Sequence, residues 1–165
     1  MKRLVEIVML VVVLMVASLS SCNTMGCLDN RSSIPLADFY SSTTNTPVAT
    51  DSIEIGGVGA PGDSLLVPAG KSVSQIYLPL RSDQSVTAFY FAYKWRGMTP
   101  AYNDTLWIYY NSFPYFASEE CGAMFRYRIT RIEHTSVFLD SVAVMDSLVT
   151  NVEKAIMKLY FPTNV

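Results

Sequence analysis

Residues 85–95 read Ser-Val-Thr-Ala-Phe-Tyr-Phe-Ala-Tyr-Lys-Trp, and this stretch decides the fold. Side chains alternate between the two faces of a strand, and here both faces are apolar. One face carries Phe89, Phe91, Tyr93 and Trp95, and the other carries Val86, Ala88, Tyr90 and Ala92. Aromatic and β-branched residues favour strands. The stretch therefore predicts a central β-strand that is packed on both sides.

Shorter runs of the same kind flank this strand in both directions. They are rich in Val, Ile, Tyr and Phe and are separated by turn residues, which predicts further strands at 35–40, 51–58, 63–67, 73–80, 104–110, 114–119, 122–133, 137–145 and 153–161. In one of these runs Ile76, Leu78 and Leu80 share a face, as strand alternation requires. A helical turn is an alternative for residues 140–155. We predict an all-β chain, a single β-sandwich of about 8–10 mostly antiparallel strands.

The first 21 residues predict a signal peptide. Lys2 and Arg3 precede an apolar run that extends from Leu4 to Leu19, and such a run after a basic start is typical of secretory signals. Residues 19–22, Leu-Ser-Ser-Cys, match the lipobox of bacterial lipoproteins, in which the cysteine thiol carries diacylglycerol. The alternative is an ordinary membrane anchor with an incidental cysteine, although the run is short for a span of about 20 residues. We expect Cys22 to be the lipidated first residue of the mature chain.

This reading divides the chain into a signal peptide at 1–21, a lipidated tether at 22–33 and a β-sandwich domain at 34–165. Cleavage leaves 144 residues, enough for one hydrophobic core, and shifts the formal net charge from −2 to −3. No basic stripe interrupts this mildly acidic balance, which excludes nucleic acid as a partner. The expected partner is the membrane, through the lipid on Cys22.

Two further cysteines, Cys27 and Cys121, remain after lipidation. In an oxidising compartment they are a candidate disulfide, and two free thiols are the alternative. A metal site is not expected, because two sulfurs and the single His134 lack the spacing of a zinc shell.

Two motifs suggest catalysis or a cofactor, and neither is complete. Gly57 to Gly62 spell G-x-G-x-x-G. A dinucleotide site needs a helix after this motif, and no helix is expected here because Pro61 lies within the motif and strand-like residues follow it. Residues 62–65, Gly-Asp-Ser-Leu, spell the signature of the esterases and lipases named for that tetrapeptide. Their histidine base follows an aspartate by three residues, whereas Arg131 stands three residues before His134. We expect no enzymatic activity and no cofactor.

Aromatic residues are concentrated between 107 and 116. If Leu106 and Ile108 point inward, alternation turns Trp107 and Tyr109 outward, with Tyr115 as the next candidate. Exposed aromatic rings on a β-face are how many sugar-binding modules stack pyranose rings. Packing in the core is the competing explanation, and it leads us to expect at least one of the three rings to be buried under another sheet.

Aspartate followed by Ser or Thr and an aliphatic residue occurs five times, where composition alone predicts about 0.6. This triplet is similar to the O-glycosylation signal of extracytoplasmic Bacteroidetes proteins. The competing cause is structural, because Asp closes turns and a hydroxyl residue often opens a strand. The candidate hydroxyls are Ser52, Ser64, Thr105, Ser141 and Ser147.

The mature chain resembles an uncharacterised family of Bacteroidetes lipoproteins, a domain of unknown function. The resemblance rests on Cys27, on residues 35–40 (Pro-Leu-Ala-Asp-Phe-Tyr), 75–80 (Gln-Ile-Tyr-Leu-Pro-Leu), 104–110 (Asp-Thr-Leu-Trp-Ile-Tyr-Tyr) and 120–122 (Glu-Cys-Gly), and on 155–161 (Ala-Ile-Met-Lys-Leu-Tyr-Phe). It implies a disulfide between Cys27 and Cys121 and no known activity.

These observations predict a membrane-anchored extracytoplasmic module that binds a partner or supports an envelope assembly. A glycan-binding module that uses the aromatic strip is the alternative, and an enzyme with an unrecognised site comes third. Residues 23–26, Asn-Thr-Met-Gly, lack both an acidic export cluster and an Asp at the second mature position. We therefore expect the outer membrane, on its periplasmic face.

Overall fold

A computed structural model describes residues 33–94, 103–118 and 122–162, together with Arg3; the side chains of Asp63 and Ser118 are outside this description. The predicted signal peptide, Cys22, Cys27, Cys121 and Trp95 also lie outside the described residues. In the described part of the chain, no helix is both long and apolar enough to cross a membrane.

The described residues contain ten β-strands, within the predicted range of 8–10. Their bounds are β1 Leu36–Ser41, β2 Ile53–Gly57, β3 Leu65–Val67, β4 Gln75–Tyr77, β5 Val86–Tyr93, β6 Asn103–Ser118, β7 Gly122–His134, β8 Ser141–Val144, β9 Leu148–Val149 and β10 Ala155–Phe161. A 3-10 turn at Pro61–Asp63 leads into β3. Residues 140–155, for which a helical turn was an alternative, contain β8 and β9.

The strands form two sheets that pack as a sandwich. One has four strands in the order β4-β1-β10-β8, and the other has six in the order β3-β2-β5-β6-β7-β9. All pairs are antiparallel except β1 with β10. In that parallel pair Phe39 lies opposite Leu159. The prediction of an all-β sandwich with mostly antiparallel strands is confirmed.

The core lies between the two sheets and consists of alternate residues from each strand. From the six-stranded sheet come Phe89 and Phe91 of β5, which are buried, and from the four-stranded sheet come Phe39 and Phe161. The rings of Phe39 and Phe161 are 5.1 Å apart between centroids, and those of Phe91 and Phe161 are 6.5 Å apart. Ile76 and Leu78 are buried on one face, as alternation predicted.

β5 was predicted to be a central strand that is packed on both sides. Its central position is confirmed, but only one of its faces is packed in the core. β5 lies in the interior of the six-stranded sheet, between β2 and β6. On its outward face only Ala92 is buried, while Val86, Ala88 and Tyr90 are half-buried. On this face the Tyr90 ring lies over Gly56 of β2, so close that a Cβ at Gly56 would be 2.6 Å from it.

The prediction of separate strands at 104–110 and 114–119 is wrong, because β6 is continuous through Pro114. Pro114 lies opposite Phe125 of β7, and β5 pairs with β6 only as far as Tyr109. β6 is therefore an edge strand where the proline occurs. A proline lacks the N–H that a second neighbouring strand would need, so an edge strand tolerates it.

Candidate functional site

The aromatic residues of β6 lie on two opposite faces of the six-stranded sheet. Leu106 and Ile108 are fully buried in the core, whereas Trp107 and Tyr109 are half-buried on the opposite face. Tyr115 has the same parity and is also half-buried. The outward direction predicted for these three residues is confirmed. The expectation that at least one ring is buried under another sheet is wrong, because the four-stranded sheet packs on the other face.

Arginine side chains of β7 cover two of these rings. The Arg131 guanidinium lies 4.0 Å from the centroid of Tyr109 and forms an ion pair with Glu133 at 2.7 Å. The Tyr109 hydroxyl donates a hydrogen bond to Glu133 at 2.8 Å, and this bond raises the pKa of Tyr109. The Tyr109 ring is therefore part of a bonded cluster with Arg131 and Glu133. Because Arg131 covers the ring, a ligand cannot stack on it directly.

Tyr115 is covered in the same way. The Arg126 guanidinium lies 4.0 Å from its ring centroid, and the Tyr115 hydroxyl contacts the Met124 sulfur at 3.8 Å. We name the surface formed by these side chains the outer face; it consists of Trp107, Tyr109 and Tyr115 of β6 and Arg126, Arg128 and Arg131 of β7. A guanidinium over a ring is held by a cation–π attraction, so these arginines have defined positions.

The far part of the β6–β7 hairpin, residues 111–118 and 122–126, extends beyond its neighbours; we name it the hairpin arm. β5 pairs with β6 only up to Tyr109, and β9 pairs with β7 only at Tyr127 and Arg128. Along the hairpin arm the two strands pair with each other and with no other described strand. Three phenylalanines are exposed there: Phe113 by 46%, Phe116 by 70% and Phe125 by 37%.

Asp104 of β6 accepts five hydrogen bonds, and the sequence did not predict this role. It is fully buried, and its carboxylate accepts hydrogen bonds from the Tyr93 hydroxyl at 3.1 Å and the Thr135 hydroxyl at 2.6 Å. The backbone N–H groups of Val137, Phe138 and Leu139 donate three more, at 2.7–2.8 Å. Asp104 therefore fixes the loop that follows β7 against the end of the sandwich.

These bonds set the charge states of the cluster. Burial by itself raises the pKa of Asp104, but the hydrogen bonds from Thr135 and from the N–H groups of Val137, Leu139 and Phe138 outweigh it and leave the pKa lowered. Burial and the adjacent carboxylate raise the pKa of Tyr93 far above its usual range. The pair is therefore a carboxylate and a neutral phenol at neutral pH. Because Asp104 is satisfied and enclosed, we assign it a structural role.

All five Asp-Ser/Thr-aliphatic triplets lie at the beginnings of strands. They lead into or open β2, β3, β6, β8 and β9. The Asp146 carboxylate accepts a hydrogen bond from the N–H of Leu148 at 2.9 Å, a turn-closing contact. This placement agrees with the structural cause of the triplets. Of the candidate hydroxyl residues, Ser64 and Ser141 are exposed, and Ser52, Thr105 and Ser147 are half-buried.

The two apparent catalytic motifs remain incomplete in the fold. The glycine loop at 57–62 leads into a 3-10 turn and then β3, with no α-helix to receive a pyrophosphate. Ser64 stands directly before β3, whereas His134 ends β7, four strand positions away in the same sheet. At about 4.8 Å per strand this separation is about 19 Å, too far for a nucleophile and its base. Among the described residues, no group of three His, Cys, Asp or Glu side chains is arranged to hold a metal ion.

Comparison with known proteins gives one family and no closer relative. A family profile described as a family of unknown function, DUF6452, matches residues 52–161. The match covers β2 to β10; Cys27 and the 35–40 segment, on which the resemblance partly rested, lie outside it. Neither the curated proteins nor the solved structures include a match.

Proposed function

The chain belongs to the DUF6452 family of unknown function, and from that premise we propose that it is a lipid-anchored extracytoplasmic protein of the Bacteroidetes lipoprotein kind. In this proposal it acts by binding a partner or by supporting an envelope assembly, without enzymatic activity. The Leu-Ser-Ser-Cys motif that ends at Cys22 supports the anchor. The absence of an acidic cluster after Cys22 supports the periplasmic face of the outer membrane.

The observation that carries the binding role is the hairpin arm. A two-stranded ribbon by itself is marginally stable in water, yet this one holds three exposed phenylalanines. Phe116, at 70% exposure, shares a face with Phe125, and Phe113 lies on the opposite face. Exposed aromatic side chains that cluster on one element mark contact surfaces in soluble domains. We assign the hairpin arm to contact with an envelope protein.

Photo-crosslinking in living cells tests this assignment. A photoreactive phenylalanine analogue at position 116 is expected to give a discrete adduct of higher mass, because the native side chain would lie against the partner. The matched control is the same analogue at Val58, which is 55% exposed but lies outside the hairpin arm. Phe125→Ser should lower the yield at position 116. Equal adduct patterns at positions 116 and 58, or no adduct at 116, would contradict the assignment.

A glycan-binding role is the second candidate, and the outward placement of Trp107, Tyr109 and Tyr115 favours it. We expect Trp107→Ala to lower the free energy of unfolding by about 2–3 kcal/mol, because the partly buried ring covers apolar surface of the sheet. The same change should abolish retention in affinity gels that contain polysaccharide. Leu106→Ala is the matched control on the opposite face; it should cost about 2–5 kcal/mol and retain whatever binding the folded fraction has. Unchanged retention in Trp107→Ala would remove the aromatic strip as a binding surface.

O-glycosylation of at least one triplet hydroxyl is also part of this proposal. The exposed Ser64 and Ser141 are the most accessible acceptors in the folded domain. Thr105 is less accessible, because it is itself half-buried within β6.

A further inference from the structure

Three arginines of β7 lie on the outer face of an otherwise acidic protein. Arg126, Arg128 and Arg131 are all exposed, whereas the whole chain has a formal net charge of −2. Arg131 is paired with Glu133. Among the described residues, no carboxylate lies within ion-pair distance of Arg126 or Arg128. These two guanidinium groups are therefore the cations of the outer face that stand outside any ion pair, although Arg128 also interacts weakly with Asp146, whose pKa is lowered mainly by Lys154.

A β-bulge brings the third arginine into the same line. Tyr109 lies opposite Arg131 and Tyr110 lies opposite Ile129, so Thr130 is the extra residue. Strict alternation would place residue 131 on the core face with the buried Tyr127 and Ile129. The bulge shifts this parity, so Arg131 points outward with Arg126 and Arg128. The three residues span about 15 Å along one strand, at about 3.3 Å per residue.

From this geometry we propose that the outer face binds an acidic polysaccharide, a linear chain of sugars that carry carboxylate groups. This inference rests on the glycan-binding candidate above and names its ligand class. The guanidinium groups that cover Tyr109 and Tyr115 block the flat stacking that a neutral sugar platform needs. Arg126 and Arg128, which form no ion pair among the described residues, present planar N–H donors instead, and these match carboxylate oxygens.

The other side chains of the outer face favour a sugar over an acidic peptide. Asn111 lies opposite Arg128, and both are exposed. Thr130 is exposed at the bulge between Arg128 and Arg131. Amide and hydroxyl groups between cations are suited to the hydroxyls of a sugar ring. A peptide would be expected to add to a sheet edge through its backbone, whereas these side chains project from a face.

Affinity gel electrophoresis of the purified full-length mature protein in detergent tests the proposal. The gels contain polygalacturonate, neutral dextran or polyglutamate. We expect retardation by polygalacturonate, weakened by salt because the contacts are charged, and none by dextran. Arg126→Glu and Arg128→Glu should each weaken the interaction at least about tenfold, the size of one lost charge-assisted contact. Arg126→Gln should weaken it in the same direction. Lys71→Glu makes the same charge change at an exposed site outside the outer face, and it should retain full retardation.

The gels separate the failure of this inference from the failure of the glycan candidate. Equal retardation by dextran, lost in Trp107→Ala, would overturn the acidic class and leave a neutral-sugar platform. Equal or stronger retardation by polyglutamate would identify an acidic peptide as the ligand and overturn the proposal. If Lys71→Glu lost as much retardation as Arg126→Glu, the retardation would depend on net charge alone, and the proposal would be overturned. Absence of retardation in all three gels would overturn both the inference and the glycan candidate.

Discussion

Asp104→Ala is expected to lower the free energy of unfolding by about 3–5 kcal/mol, the cost of removing one partner from a buried charged network. The substitution leaves three backbone N–H groups, of Val137, Phe138 and Leu139, without the acceptor that they share in the folded protein. Each unsatisfied buried donor costs about 1–3 kcal/mol. Urea denaturation followed by far-UV circular dichroism measures the loss.

Two control variants show whether the loss of stability comes from removing the buried carboxylate or from removing any aspartate side chain. Asp140→Ala removes the same side chain at an exposed position and should change stability by less than about 0.5 kcal/mol. Asp104→Asn keeps the shape of the side chain, but the amide N–H₂ group that replaces one carboxylate oxygen cannot accept hydrogen bonds. The stability of Asp104→Asn should therefore lie between that of the wild type and that of Asp104→Ala. If Asp104→Ala is as stable as Asp140→Ala, the structural role assigned to Asp104 is wrong.

The same network predicts a pH dependence of stability. The pKa of Asp104 in the folded protein lies below its ordinary value of 3.8. The stabilisation by the carboxylate is therefore fully present above about pH 5, and it is lost as the pH falls through the folded-state pKa. The stability difference between wild type and Asp104→Ala should be constant from about pH 5 to neutral and should shrink below pH 3.8. If the stability difference between wild type and Asp104→Ala grew as the pH fell, the predicted direction of the pH dependence would be wrong.

Cys22→Ala is expected to abolish lipidation and signal-peptide cleavage, the largest effect predicted for a single residue of this chain. Alanine has no thiol to carry diacylglycerol, and two acyl chains provide stable anchoring because each buried CH₂ contributes about 0.8 kcal/mol. Mass spectrometry of the wild-type protein should find an acylated Cys22 as residue one. The variant should carry no lipid and should remain an unprocessed precursor.

Cys27→Ala is the matched control for this experiment, since it removes a cysteine that lies outside the lipobox. It should leave lipidation and fractionation unchanged. A wild-type mature chain that begins at another residue, or that begins at Cys22 without lipid, would overturn the anchor. The candidate disulfide between Cys27 and Cys121 remains a prediction, as both residues lie outside the described part of the chain.

Features of the fold that depend on local alternation could be predicted from the sequence alone. The period of two placed Leu106 and Ile108 inward and Trp107 and Tyr109 outward, and the dense apolar pattern of 85–95 placed β5 inside a sheet. These predictions succeeded because burial on one face imposes the same period on every residue of a strand. A break at Pro114 was predicted for the same local reason. It failed because pairing with β7, rather than local propensity, decides whether the strand continues.

The features that join distant parts of the chain became apparent only in the folded protein. Four of the five donors to Asp104 lie 31–35 residues later in the chain, and no local pattern reveals such contacts. The line of arginines depends on the bulge at Thr130. The sequence does carry a sign of this bulge. The inward apolar residues of β7 are odd-numbered at Tyr127 and Ile129 but even-numbered at Ile132, so the alternation shifts by one residue between them. Which side chains converge is set by strand pairing and bulges across the sheet, and hydrophobic periodicity along one strand does not encode these long-range contacts.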